Sequence, residues 1–142
     1  MEFITQNTKK EVKIIPASFQ DALELKKAVM KCIGELETAK SFDLNNLSNI
    51  ELTGLLDILI AGIINLETSN FFEKAIFKCL EVCTYDKFHA ITRQLFDDKP
   101  EIREDYYEII SKCAEVNLTP FFKSLVSELQ TRFKTINSND QE

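Results

Sequence analysis

The chain has 142 residues, of which 44% are hydrophobic and 28% charged, and a formal charge of −6. That length suits one domain with a single core, and the composition excludes disorder over most of it. Three glycines and three prolines are too few for a sandwich or barrel of many short strands. With no block of Lys or Arg, the negative balance excludes the electrostatic footprint of nucleic-acid binding.

Taken in chain order, the polar first residues, 1–8, are expected to be flexible. Lys9 to Ile15 alternates, with Val12 and Ile14 set against Glu11 and Lys13, which is the period of a half-buried strand. Pro16 ends it. Ser18 with Asp21 three residues on predicts a helix start, because a side-chain oxygen and an acid there meet unpaired amides. Phe19, Ala22, Leu23, Val29, Met30, Ile33 and Leu36 give this first helix an apolar stripe that runs to Glu37–Lys40.

Ser48 and Glu51 form a capping pattern before the run from Leu52 to Leu66. That run holds Asp57 and Asn65 and falls short of the ~20 residues a bilayer requires, so no membrane span is expected. A second helix that is apolar all round is covered either by its own core or by a partner subunit. Gly54 and Gly62 within it suit close helix packing. Asn70 and Glu73 open a third helix carrying Phe72, Ala75, Ile76, Cys79, Leu80 and Cys83. Periodicity fades over Thr84–Lys99, where Phe88 to Arg93 reads as a short strand or a loop. If it is a strand, it is a candidate to pair with Lys9–Ile15.

Asp98, Pro100 and Glu101 predict the start of a fourth helix, continued by Ile102, Tyr106, Ile109, Ile110, Cys113 and Val116. Asn117–Pro120 breaks it, and Thr119 is expected to cap a fifth helix bearing Phe121, Phe122, Leu125, Val126, Leu129, Phe133 and Ile136. The tail, 137–142, is expected to be disordered. The fold class is therefore mainly α: a single domain over residues 9–136, of about five helices with one or two short strands near the N-terminus and middle.

Candidate chemistry is sparse. Cys79 and Cys83 stand one helical turn apart and, with Cys113 and the lone His89, could supply zinc ligands. Their place on an apolar stripe favours buried free thiols instead, so no metal is expected. The chain start lacks a signal-peptide layout, which suggests a reducing compartment. A cysteine nucleophile would need an oriented base, and nothing selects His89 for that work. The carboxylates Asp97, Asp98, Glu104 and Asp105 are explained by a helix start and solvent. No phosphate loop or dinucleotide fingerprint occurs, and no cofactor is expected. The expectation is a non-enzymatic protein that binds other proteins. In the phenylalanine pairs Phe71-Phe72 and Phe121-Phe122, one ring can face the core while its neighbour needs other cover.

Three segments carry a resemblance. Ile14-Ile15-Pro16-Ala17-Ser18-Phe19-Gln20-Asp21 through Ala28, Cys79-Leu80-Glu81-Val82-Cys83-Thr84-Tyr85, and Arg103 to Glu108 with Val116 to Leu125 together resemble the tail assembly chaperones of long-tailed phages and prophages of Gram-positive bacteria. The resemblance implies a largely helical protein in the cytoplasm of the bacterial host. It also implies a protein that binds the apolar, helical tape measure protein and keeps it soluble until tail tube subunits polymerise around it. Self-association along the long client, as a homo-oligomer, is expected too. The candidate client-binding face is Phe121, Leu125, Leu129 and Phe133, used as a groove for a helix. The alternative is a regulatory or structural subunit of a permanent complex.

Overall fold

A computed structural model describes residues 1–38, 60–63, 69–128 and 131. It is a mainly helical single domain with a small antiparallel sheet formed from strands near the N-terminus and in the middle of the chain. Strands β1 (Glu2–Ile4) and β2 (Glu11–Lys13) are followed by helix α1 (Phe19–Thr38) and helix α2 (Ser69–Leu80). Strands β3 (Thr84–Tyr85) and β4 (His89–Ala90) lead into helix α3 (Arg93–Asp98), a 3-10 helix over Pro100–Asp105, and helix α4 (Tyr106–Leu118). A 3-10 turn, Thr119–Phe121, passes the chain into the helical segment 122–128. Of the second expected helix, only the helical residues 60–63 are described, and Ile60 and Ile63 belong to the core. Gly54 and the capping pair Ser48 and Glu51 lie outside the described residues, as does the tail 137–142.

Helix α1 begins where a local hydrogen bond allows it, since the Asp21 amide donates to Ser18 Oγ at 3.2 Å. Its Ala22, Leu25, Val29 and Cys32 are buried at three- and four-residue steps. On α2 the buried set is Phe72, Ala75, Ile76, Cys79 and Leu80, and on α4 it is Ile109, Ile110, Cys113, Ala114 and Leu118. These three stripes face one another, and each of the three helices packs on the other two. Burial of the Leu, Val, Ile and Phe side chains among them contributes roughly 1.5–3 kcal/mol apiece. Helices α1 and α2 run antiparallel: Cys79 Sγ lies 3.6 Å from the Asp21 carbonyl at one end, and Lys31 Nζ sits 3.5 Å above the Phe71 ring at the other.

The sheet has the order β1-β2-β3-β4, all antiparallel. The alternation around β2 is realised, with Val12 and Ile14 buried and Lys13 exposed. Three differences from the sequence expectation follow. The first residues, expected to be flexible, supply β1, because Phe3 finds Val12 as a cross-strand partner and the terminal amine donates to the Ile14 carbonyl at 2.9 Å. The middle region forms a hairpin whose β3, rather than the expected 88–93 stretch, pairs with β2 through Val12↔Tyr85 and Lys13↔Thr84. Its turn places Asp86 and Lys87 at φ of 51° and 71°, a left-handed pair that closes the hairpin without glycine. The stretch after it forms α3, capped by Thr92 Oγ1 accepting from the Leu95 amide at 3.3 Å.

Helix boundaries also move. Asp98 closes α3 and accepts from Gln94 at 2.9 Å instead of capping the next helix. Pro100 opens a 3-10 helix, and α-helical geometry starts only at Tyr106. Thr119 does not cap a fifth helix. It has right-handed helical dihedrals, and its hydroxyl donates back to the Glu115 carbonyl one turn earlier. The proline is accommodated because it falls in a short 3-10 turn. Among the described residues no helix is long and apolar enough to cross a membrane.

Candidate partner-binding site

Helix α1 has a second occupied flank. Phe19 lies roughly 100° around the helix from the stripe of Ala22, Leu25 and Val29, so it cannot share their burial. It is 72% exposed and rests on Phe121, with ring centroids 6.3 Å apart and planes tilted by 44°. Two turns further along α1, Lys26 Nζ stands 5.8 Å from the centroid of the Phe121 ring and donates to both Ser124 Oγ and Glu128 Oε1 at 3.1 Å. The pair Lys26–Glu128 thus clamps the segment 122–128 to α1, while Phe19 and part of Phe121 form an aromatic shelf open to solvent.

The residues expected to make the client face divide on this geometry. Phe121 is half-buried at the edge of the shelf. Leu125, one turn on, is fully buried in the core, so of these two only Phe121 is left in part for a client. Leu129 and Phe133 lie outside the described residues. Its spacing alone places Phe19 on the core stripe, from which the structure excludes it. Its angular offset, legible on a helical wheel, was the signal that separated it. The phenylalanine pairs behave unequally: Phe72 is buried and Phe71 is 50% exposed, whereas Phe121 and Phe122 are both half-buried.

The thiols are placed together by the packing of α2 on α4. Cys79, Cys83 and Cys113 are all buried thiols outside any disulfide, as is Cys32. Burial, reinforced by the Asp21 carboxylate, pushes the Cys79 thiol up to about 12. A hydrogen bond from Cys113 stabilises the Cys83 thiolate and lowers Cys83 to about 7, and the same bond together with burial raises Cys113. Asn117 Nδ2, 3.5 Å from Cys113 Sγ, completes the chain of contacts. His89 sits on β4, and among the described residues no three His, Cys, Asp or Glu side chains converge to hold a metal ion. The cluster is packed as small hydrophobes would be.

A second polar cluster ties the β1–β2 turn to the 3-10 helix. Asp105 is fully buried, and its Oδ2 accepts from the Thr8 hydroxyl. Since Thr8 has one proton to give, Tyr85 and Thr5, each 2.9 Å from Thr8 Oγ1, donate to it. Burial raises the Tyr85 phenol. Asp105 Oδ1 has no hydrogen-bond partner. Nearby, Asn7 Nδ2 donates to the Glu104 carbonyl at 2.7 Å and the Gln6 amide to Glu108 at 3.1 Å. This cluster fastens the sheet to the helices.

Comparison with protein-family models, with curated proteins and with solved structures found no match to this chain.

Proposed function

We propose that the chain is a tail assembly chaperone of the long-tailed phage type, a non-catalytic protein that binds the tape measure protein in the cytoplasm of the bacterial host and keeps it soluble. The resemblance of the three sequence segments supports this reading. The observation that carries it is the aromatic shelf: Phe19, 72% exposed, and the half-buried Phe121 leave aromatic surface in solvent at the junction of α1 and the 119–121 turn. An apolar helix of the client docks there, with Leu129 and Phe133 as further proposed contacts, and its stripe is covered against aggregation. The net charge of −6 keeps the complex soluble, and several copies associate along one client.

The test is co-expression with the tape measure protein of the same genome, read as the client's soluble fraction and its recovery with the tagged chain. Client that becomes soluble and co-purifies supports the reading. Client that stays insoluble and unbound overturns it in favour of a regulatory or structural subunit of a permanent complex.

A further inference from the structure

The other flank of α1 carries a feature that the shelf does not use. Between α1 and α2 runs a groove of about 370 Å³ lined by Ala28 and Ala75, the exposed ring of Phe71, the lysines Lys27, Lys31, Lys74 and Lys78, and the acids Asp21 and Glu24. Alanine at the closest approach leaves the groove shallow and apolar, and the lysine stems extend that surface while their ammonium groups line its banks. In a chain of net charge −6, four lysines around one groove reverse the local sign.

The charge is graded along the groove. Asp21 and Glu24 lie toward the start of α1, where Glu24 takes up Lys27 at 3.9 Å and where, the helices being antiparallel, Lys78 also falls. Toward the other end, Lys31 is held over the Phe71 face, and Lys74 meets no carboxylate within ion-pair distance among the described residues. An apolar floor between two lysine banks complements an amphipathic helix with a narrow apolar stripe flanked by Asp or Glu. It does not suit a phosphate backbone, which would leave the alanine and phenylalanine surface uncovered.

We propose that the α1–α2 groove docks an acidic amphipathic helix of a partner protein, with Phe71 as its apolar anchor and Lys31, Lys74 and Lys78 as its charge readers. This site is separate from the aromatic shelf and does not depend on the identity of the shelf's client.

The test uses the full chain and a short labelled helical peptide with a leucine stripe bordered by glutamates, followed by fluorescence anisotropy. A peptide with lysines in place of the glutamates and a labelled single-stranded RNA run alongside. The acidic peptide is expected to bind in preference to both, and the combined variant Lys31→Glu, Lys74→Glu, Lys78→Glu to bind it about tenfold more weakly or worse. Phe71→Ala is a second, uncharged variant with the same expected direction. Unchanged circular dichroism establishes that each variant is folded. If the triple variant does not fold, Phe71→Ala decides alone. Equal binding of the two peptides, tighter binding of the RNA, no binding of the acidic peptide, or undiminished binding by the folded variants overturns the proposal.

Discussion

The hydroxyl of Thr8 donates to the carboxyl of Asp105, 97 residues away in the chain, and this bond lies at the centre of the contact between the N-terminal hairpin and the 3-10 helix before α4. Asp105 occupies the N-cap position of α4, yet its side chain caps nothing there and is given wholly to the hairpin. Replacing Thr8 by valine keeps the shape and removes the donor, leaving a buried carboxyl with neither oxygen bonded. A loss of about 2–3 kcal/mol is expected in urea unfolding. Asp105→Ala should cost about as much, and the double variant much less than the sum. Additive losses would mean that the bond does not couple the two elements.

Asn117 makes a comparable link near the other end of α4. Its Oδ1 accepts from the Ala17 amide at 2.8 Å and its Nδ2 donates to the Cys113 carbonyl at 2.9 Å, in a side chain only 3% exposed. Asn117→Leu matches the volume and leaves the Ala17 N–H without a partner. A destabilisation of about 1–3 kcal/mol is expected, read as a lowered denaturant midpoint with an unchanged slope.

Leu125 and Phe19 should separate stability from binding. Leu125→Ala opens a cavity in the core and is expected to cost about 2–5 kcal/mol. Phe19→Ala removes a largely exposed ring, should change stability by about 0.5 kcal/mol or less, and should reduce recovery of the client in the co-expression assay. A Phe19→Ala chain that recovers as much client as the parent would remove the shelf from the binding face.

The thiols give stability a defined pH dependence. Below about 7 the Cys83 contribution is absent. Between 7 and the ordinary thiol value of 9.0 the unfolded chain holds a proton that folded Cys83 has lost, so stability rises with pH. Above 9.0 the order reverses: Cys79, raised to about 12, and Cys113, also raised, keep protons that the unfolded chain releases, and stability falls. Urea midpoints at about pH 7, 9 and 11 should therefore pass through a maximum, and Cys83→Ser should flatten the rising limb and reduce, but not abolish, the fall that burial of Cys79 sustains. A monotonic profile would contradict the assignment.

Much of the helical layer was legible from the sequence because a buried stripe repeats with the turn of the helix. Val29 with Ala22 marks α1, Phe72 with Ile76 marks α2, and Ile109 with Cys113 marks α4, and all are buried. The alternation of Val12, Lys13 and Ile14 marked β2 in the same way. The Ser18 cap was readable because donor and acceptor lie three residues apart.

Periodicity tells which side of an element is apolar, but it carries no information about the neighbour that covers it. Only the tertiary structure decided that β3 lies beside β2, that Phe121 shelters beneath Phe19 while Leu125 enters the core, and that Asp105 and Asn117, polar residues at helix ends, turn inward to Thr8 and Ala17. Each of these contacts joins residues roughly a hundred or some seventy positions apart, and its free energy depends on closing that loop first. A local pattern cannot express that dependence, and the surfaces available for binding are set by it.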